Sequence, residues 1–264
     1  MITSTRNPKV QWVRSLQSQA KARRQANAFV IEGVRLVEEA LSASITTQLV
    51  FFSEDLNQRG IRLVTGYQEQ GVQVEQVSVD VLKAASDTDT PQGILAVLPI
   101  QPLPLPEPPD FVLVLDGIRD PGNLGTILRT ATGAGVQAVL LAGGTADPYS
   151  PKVVRSAMGA HFKLAFRDME WSEVEAYLGG KGVSRSPNIY LADSGGGHVY
   201  TQADFKSPLA LIVGSEAAGA GGEAHRLAGT RIHIPMPGKS ESLNAAVATG
   251  ILLFEVVRQR TGSS

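Results

Sequence analysis

Ile232-His233-Ile234-Pro235-Met236-Pro237-Gly238-Lys239-Ser240-Glu241-Ser242-Leu243-Asn244 is the stretch that decides the fold, and an apolar run, Ala245 to Val257, follows it. Its first residues favour a strand because isoleucine is β-branched, while the prolines and glycine that follow cannot continue a strand ladder. Ser242 or Asn244 can cap a helix, and the nearly continuous apolar positions after them predict burial on more than one face of that helix. A loop between the carboxyl end of a strand and a buried helix is where α/β proteins place ligands.

The composition is that of a globular protein. The chain has 264 residues, 43% of them hydrophobic, which suffices for a packed core in one or two domains. It has no cysteine, so disulfides and thiolate metal sites are excluded, and its four histidines lack the paired spacing of metal ligands. We therefore expect a protein without a metal site.

The sequence also predicts where the protein works. No apolar run approaches the ~18 residues of a membrane span. Residues 1–25 are polar and basic, without the hydrophobic segment of a signal peptide. We therefore expect a cytoplasmic protein that does not bind membranes.

Positive charge is concentrated near the start of the chain, although the formal net charge is only −1. Clustered basic side chains can bind RNA phosphates, and they predict a phosphate-contacting arm. A solvated amphipathic helix, with Val10, Val13 and Leu16 on its apolar face, explains the same pattern equally well. The candidate RNA contacts are Arg6, Lys9, Arg14, Lys21, Arg23 and Arg24.

The domain organisation follows from a change in composition. Residues 1–100 alternate short apolar strands with helical segments and predict a small α/β domain for substrate binding. Residues 101–109 contain five prolines, which favour an extended polyproline II linker. Residues 110–264 form the second predicted domain.

In this second domain, apolar strands alternate with helices. The strands read as continuous apolar runs, which is typical of a parallel sheet covered on both faces. We predict them at residues 111–115, 136–142, 162–166, 189–192 and 209–214.

Three polar, glycine-rich loops follow apolar strands, after Leu115, Val213 and Ile234. In a parallel sheet the carboxyl ends of such strands converge, so the loops predict one site for a nucleotide-like ligand. A dinucleotide dehydrogenase is the natural rival, but no strand is followed by G-x-G-x-x-G with its acidic partner, and no P-loop motif is present either.

The three loops resemble the three motifs of the SpoU (TrmH) family of RNA 2′-O-ribose methyltransferases, in the SPOUT superfamily. Residues 120–131 match N-x-G-x-x-x-R, residues 212–219 match G-x-E-x-x-G, and residues 234–248 match I-P-M-x-G-x-x-x-S-L-N-x-x-x-A. More weakly, residues 4–16 and 29–33 resemble the opening of an L30e-like domain that binds the RNA substrate.

This resemblance implies an α/β protein: a C-terminal parallel-sheet SPOUT domain, tied in a trefoil knot, preceded by a smaller α/β L30e-like domain. It also implies a homodimer through the knotted domain, to whose contact the buried C-terminal helix would be suited. The implied cofactor is S-adenosylmethionine, and the residues expected to bind it are Leu141, Ala142, Gly143, Gly214, Ile234, Met236 and Leu243.

The resemblance also implies a catalytic set: Arg129, Asn123, Glu216, Ser242 and Asn244. Arg129 would act on the 2′-hydroxyl, and we favour stabilisation of the developing alkoxide because a guanidinium is a poor base. Asn123 would orient Arg129 or the ribose, Glu216 would anchor the motif loops, and the other two would hold the active-site loop. Taken singly, each polar residue could equally be a helix cap or a loop hydrogen bond.

The implied activity is methyl transfer from S-adenosylmethionine to a ribose 2′-hydroxyl of RNA, and 23S ribosomal RNA is the expected substrate. The alternatives are a transfer RNA 2′-O-methyltransferase and a catalytically silent RNA-binding or ribosome-assembly protein on the same scaffold. Lys152 and Arg155 could contact RNA phosphates, and a solvated helix face explains them as well.

Overall fold

The computed structural model describes residues 1–179, 187–215, 219–238 and 242–262. Its helices are α1 (Pro8–Ser18), α2 (Ala20–Ala26), α3 (Val34–Ser42), α4 (Gln58–Glu69), α5 (Val79–Ala85), α6 (Pro121–Gly133), α7 (Pro151–Ala157), α8 (Trp171–Gly179), α9 (Gly222–Leu227) and α10 (Ala245–Thr261). Its strands are β1 (Ala28–Glu32), β2 (Leu49–Phe52), β3 (Gln73–Gln76), β4 (Ile94–Pro99), β5 (Phe111–Asp116), β6 (Ala138–Ala142), β7 (Ala165–Asp168), β8 (Asn188–Ala192), β9 (His198–Val199), β10 (Leu209–Gly214) and β11 (Thr230–His233).

The chain forms two compact units. Unit 1 comprises residues 1–101 and 147–162, and unit 2 comprises residues 102–146 and 163–264. The sequence placed residues 147–162 in the second domain, but they lie with unit 1. The physical reason is that Val154 of α7 is buried in the same apolar cluster as Phe29 and Leu98.

Unit 1 is a four-stranded sheet, in the order β1-β4-β2-β3, with helices on both faces. Phe29 and Ile31 of β1 belong to the cluster with α3, α4 and α7, while Val30 belongs to the cluster with α1 and α5. Successive strand residues point to opposite faces, so both faces need apolar side chains. This explains why the strand reads as a continuous apolar run.

The amphipathic helix predicted around Val10, Val13 and Leu16 is α1, and a second helix, α2, follows it. The break is at Gln19, whose backbone is extended (φ −129°, ψ 116°). Val10, Val13 and Leu16 of α1 are buried against the sheet, so the apolar face of this helix belongs to the core.

Unit 2 contains a seven-stranded sheet in the order β7-β6-β5-β10-β8-β11-β9, and all its described pairings are parallel. The predicted α/β fold with a parallel sheet is confirmed. The third predicted strand, at residues 162–166, is present as β7 but begins later, at Ala165, because residues Ala160–Phe162 form a 3-10 turn. Helices α8 and α9 cover one face of the sheet, where Val114 and Ile212 pack with Val174 and Ala224.

The proline-rich stretch 101–109 contains no helix or strand. It packs along unit 2 through its carbonyl groups: the Tyr177 hydroxyl donates to Pro106 O at 2.7 Å, and Arg167 Nη2 donates to Leu103 O at 3.2 Å. Burial raises the pKa of the Tyr177 phenol to about 12, so this donor keeps its proton at neutral pH.

Candidate functional site

A cavity of ≈ 410 Å³ opens in unit 2, at the carboxyl ends of β8, β10 and β11. These strands are neighbours in the sheet, so their ends converge as the sequence predicted for the loops after Val213 and Ile234. Among the predicted cofactor and catalytic residues, five line the cavity: Gly214, Ile234, Met236, Ser242 and Leu243.

The two ends of the loop after β10 lie close together. Ser215 and Gly219 form a β-bridge, with N–O distances of 3.0 and 2.9 Å. A Cβ at Gly214 would lie 2.4 Å from backbone atoms of Gly219 and Ala220, so this position admits no side chain without moving the loop. Glu216, the predicted anchor of this loop, lies outside the described residues.

The start of α10 meets the start of α6. Asn244 caps α10, its Oδ1 accepting hydrogen bonds from the backbone of Ala246 and Val247 at 3.0 and 3.3 Å. Its Nδ2 donates to Asn123 Oδ1 at 3.0 Å. Asn244 is thus more than a local helix cap, because its contact with Asn123 joins the first and third motifs directly.

Arg129 lies further along α6 and is exposed. Next to it on this helix, Thr130 Cγ2 would lie 3.7 Å from a Cβ built on Gly250 of α10. Asn123 therefore faces Asn244 and Thr130 faces Gly250, so the two helices run side by side in the same direction. Within the described ranges the Arg129 guanidinium has no hydrogen bond or ion pair.

Comparison with known proteins gives a family for this arrangement. Residues 110–254, more than half of the chain, match the SpoU rRNA Methylase family. The chain belongs to this family. Residues 7–96 match the MRM3-like substrate binding domain.

Full-length relatives share this organisation. The chain is 34% identical to the 23S rRNA (guanosine(2553)-2′-O)-methyltransferase RlmP of Bacillus subtilis, over 97% of this chain and 98% of the relative. It is 31% identical to the 23S rRNA (uridine(2479)-2′-O)-methyltransferase of Streptomyces viridochromogenes, over 97% and 92%. The crystal structure of an AdoMet-bound rRNA methyltransferase from Sinorhizobium meliloti superposes with a TM-score of 0.87 and 32% identity, covering 97% of each chain.

In this SpoU chain, three of the residues predicted for the cofactor are absent from the cavity wall: Leu141, Ala142 and Gly143. Leu141 and Ala142 are buried in β6, which β5 separates from β10. A Cβ at Gly143 would lie 2.1 Å from Asp116 Oδ1, so this glycine packs against the end of β5. The structure therefore does not bring these three residues to the wall of this cavity.

Their place in the cavity is taken by residues that the sequence analysis did not identify. Ala192, Asp193 and Ser194 line it from the end of β8, and His225 and His233 line it from α9 and β11. The first three could have been found from the sequence, because they end a predicted strand. The strand order that brings β8 beside β10 could not.

His233 contributes a polar atom to this wall. Its Nδ1 is buried and has no hydrogen-bond partner among the described residues, although the rest of the side chain is partly exposed. A buried polar atom without a partner is unfavourable, so this nitrogen is a candidate contact for a bound molecule.

Asp116 connects the first and second motif regions of the SpoU domain. Its buried carboxylate, at the end of β5, accepts a hydrogen bond from Gly221 N at 2.6 Å. This bond holds the start of α9 against the end of β5.

The predicted RNA contacts in unit 1 differ in their availability. Arg6, Arg14, Lys21 and Arg24 are exposed, and in the described part of the chain their side chains form no ion pair. Lys9 pairs with Glu75 and keeps the pKa of that carboxyl below its ordinary value.

Arg23 does not belong among the predicted RNA contacts. Its side chain is only 6% exposed; Nη2 lies 2.7 Å from Asp147 Oδ2, and Nη1 donates to Leu16 O at 2.6 Å. A guanidinium enclosed in this way supports the packing of α2 and cannot also reach an RNA phosphate.

Lys152 and Arg155 lie on α7 in unit 1. Lys152 is exposed, whereas Arg155 forms an ion pair with Asp87.

Between residues 1 and 262, the described helices include none with the length and apolar character of a membrane span. The same residues offer no cluster of three metal-ligating side chains.

Proposed function

We propose that this protein is an S-adenosylmethionine-dependent RNA methyltransferase that methylates a ribose 2′-hydroxyl in 23S ribosomal RNA. The observation that carries the proposal is the junction of the motifs: the Asn123–Asn244 hydrogen bond ties the helix of Arg129 to the wall of the cavity. Relatives that span nearly the whole chain are named as 23S rRNA 2′-O-methyltransferases.

The cavity suits S-adenosylmethionine. Ile234, Met236 and Leu243 offer apolar side chains to an adenine ring, and the close turn at Gly214 exposes backbone to a ligand. The buried Nδ1 of His233 offers a hydrogen-bonding atom that a polar group of the cofactor would satisfy. A related protein of 32% identity was crystallised with AdoMet bound.

The chemistry needs a reactive methyl group, which S-adenosylmethionine supplies on its sulfonium. The protein must hold the 2′-hydroxyl in line with that methyl and stabilise the negative charge that develops on its oxygen. Arg129 suits the second task because it is exposed and always protonated, and within the described ranges it has no partner.

The two asparagines have a positioning role in this proposal. Asn123 accepts from Asn244, so the start of α6 and the third motif move together. Ser242 lies on the cavity wall two residues before the α10 cap, where it would help to hold the loop over the ligand. Glu216 remains our proposed anchor for the second motif and for Arg129.

A homodimer is part of the proposal. Val247 and Phe254 of α10 are 53% and 52% exposed, and they lie seven residues apart, on one side of the helix. Two large apolar side chains aligned in this way suit a contact with a second copy. Phe254→Glu should shift the molecular mass in light scattering from dimer to monomer; an unchanged mass would move the interface elsewhere.

A trefoil knot in unit 2 is proposed with it, although knots are rare in proteins. It is supported by the course of the chain, which passes to β8 and β11 beyond β10 and then returns through α10 to pack against α6.

We also propose that six basic side chains contact RNA phosphates: Arg6, Arg14, Lys21 and Arg24, which are exposed, together with Lys9 and Lys152. The cytoplasmic location expected from the sequence stays a prediction.

The direct test is transfer of labelled methyl from S-adenosylmethionine to ribosomal RNA from cells that lack the protein, followed by mapping of ribose methylation. Incorporation at one 2′-oxygen of 23S RNA is expected. Leu243→Trp should fill the cavity and abolish both cofactor binding in calorimetry and transfer, with the circular dichroism spectrum unchanged. Tight RNA binding without any incorporation would favour the silent binding protein, and incorporation into transfer RNA would favour that substrate.

A further inference from the structure

Unit 1 contains a second cavity, of ≈ 270 Å³. Its walls come from three separated parts of the chain: the start of α3, the loop 88–92, and the end of α7. All of them belong to the same compact unit. No residue of this cavity belongs to the three motifs, so the methyl-transfer site does not account for it.

One side of the cavity is held rigid by hydrogen bonds. The Glu32 carboxylate accepts from the hydroxyls of Ser86 and Thr88 and from Asp87 N, the last at 3.3 Å. Asp87 in turn forms an ion pair with Arg155. These carboxylates are therefore engaged within the protein, and they do not present a free negative charge to a ligand.

The Glu39 carboxylate also lines the cavity, beside Gly159 at the end of α7. The other polar groups that face the cavity are donors. Arg35 is exposed, and within the described residues its guanidinium forms no ion pair. Gln92 accepts a hydrogen bond from Val34 N at 3.1 Å through Oε1, so its NH₂ group is turned away from that contact. Thr90 adds an exposed hydroxyl. The Arg35 guanidinium and these neutral donors suit a phosphate group.

The opposite wall presents Met158. Its backbone lies in the left-handed region (φ 47°, ψ 52°) at the end of α7, where glycine is the usual residue, and its side chain is 37% exposed. Unfavourable backbone conformations of this kind persist where the surroundings enforce them, and they cluster at functional sites. A thioether on the wall of a cavity is a good contact for the face or edge of an aromatic ring.

We propose that this cavity binds one unstacked nucleotide of the substrate RNA, with its phosphate at Arg35 and its base against Met158. The inference rests on the proposed function, and it is supported by the match of residues 7–96 to a substrate binding domain. Single-stranded RNA is specified because a base can enter a cavity only when it has left its stack. Met158, just after the end of α7, would thus contact the substrate together with the first hundred residues.

The four methionines of the chain allow a site-resolved test. Full-length protein labelled with ¹³C at the methionine methyl groups is titrated with an unstructured single-stranded RNA of about ten nucleotides, long enough to span a typical single-strand site. The ring current of a bound base should move the Met158 signal, whereas Met1 and Met169 should stay. S-adenosylmethionine should instead move Met236, which lines the other cavity.

Two variants and a matched control measure the affinity by fluorescence anisotropy. Arg35→Ala and Met158→Gly should each weaken binding of the single strand by about fivefold to tenfold, as loss of a charge-assisted hydrogen bond or of a base contact does. Glycine tolerates the left-handed backbone, so Met158→Gly removes the side chain without disturbing the end of α7. Lys83→Ala removes the same charge from an exposed position on α5 and should leave affinity unchanged.

The outcomes separate this site from the proposed function. One outcome overturns the nucleotide site and leaves the proposed function standing. In it, the wild-type protein methylates RNA, Arg35→Ala and Met158→Gly bind the single strand as tightly as Lys83→Ala does, and the NMR signal of Met158 does not move. If the protein binds RNA with the expected losses but transfers no methyl group, the site stands and the enzyme assignment fails. Equal affinity for a duplex and for the single strand would also overturn the proposal that the cavity binds an unstacked nucleotide.

Discussion

The two cavities are built in different ways. The cavity of unit 2 is lined by consecutive residues at strand ends, such as 192–194 and 232–234, and by the segment around the start of α10. The cavity of unit 1 takes single side chains from residues as distant as Arg35, Gln92 and Met158. A parallel sheet gathers its strand ends on one edge and so makes a site from loops, whereas a mixed sheet relies on side chains that packing brings together.

The two cavities also differ in their chemistry. In unit 2 the walls are mostly backbone and apolar side chains, with one buried nitrogen, His233 Nδ1, that has no partner among the described residues. In unit 1 carboxylates, guanidiniums and hydroxyls pair with one another around the cavity. The comparison predicts that cofactor binding in unit 2 depends on the volume of the side chains near its loops, and that the stability of unit 1 depends on ionisation.

The largest expected effect is on catalysis in unit 2. Arg129→Ala should reduce methyl transfer roughly 100- to 1,000-fold, the usual cost of removing a donor that stabilises a developing oxyanion. Affinity for S-adenosylmethionine should stay within a few-fold, because Arg129 does not line the cofactor cavity. Single-turnover transfer and calorimetry measure the two quantities separately.

Arg129→Lys sharpens this prediction. Lysine keeps the charge but lacks the planar fork that can hold the ribose oxygen and a phosphate together, so it should not restore transfer. Near-normal turnover of the lysine variant would show that charge alone is sufficient.

The next effect concerns ionisation in unit 1. His161 stacks on Phe29, with ring centroids 5.8 Å apart, and its Nε2 lies 2.7 Å from Pro148 O. Burial lowers the pKa of His161 to about 4, below the ~6.5 of an unfolded chain. The unfolded state therefore binds a proton first as the pH falls, and stability should drop between pH 6.5 and pH 4 by about 3 kcal/mol from this group.

Urea unfolding of the wild type and of His161→Gln over this pH range tests whether the stability falls as the pH is lowered. Glutamine can still donate to Pro148 O but does not titrate, so its loss of stability on acidification should be smaller. The other three histidines are present in both proteins and cancel in the difference. Parallel pH profiles would mean that His161 has the same pKa in the folded and the unfolded protein.

A smaller effect tests the dependence of unit 2 on volume. Gly214→Ala should weaken S-adenosylmethionine binding about tenfold, because an added Cβ at 2.4 Å from Gly219 and Ala220 must move the loop, at a cost typical of overpacking. Gly222→Ala is the matched control, since a Cβ there meets nothing within 4 Å. Calorimetry on both variants gives the comparison, and equal affinities would contradict the close turn of this loop.

The smallest expected effect is at His233. If its buried Nδ1 contacts the cofactor, His233→Leu should lower affinity about fivefold, the value of one hydrogen bond. His233→Asn keeps a polar atom near the Nδ1 position and should recover most of the affinity. Equal affinities of the two variants would assign the nitrogen a structural role only.

Local chemistry allowed much of unit 2 to be predicted from the sequence. Proline and glycine end strands wherever they occur, and continuous apolar runs form buried parallel strands, so the pattern of residues was enough to locate the loops after Val213 and Ile234. The cap at Asn244 is equally local, because its side chain bonds the backbone two and three residues ahead. The motif resemblance then supplied what these patterns leave open, the ligand and the reaction.

The sequence by itself thus determined most strands of unit 2, the strand-end loops and the family of this protein. Only the tertiary structure decided which strands are neighbours: it placed β8 beside β10, so that residues 192–194 line the cavity and Leu141, Ala142 and Gly143 do not. It also placed α7 with unit 1, through the burial of Val154, and enclosed Arg23 against Asp147. The physical reason is that strand order and helix docking are set by the burial of surfaces far apart in the chain, which no local pattern of residues records.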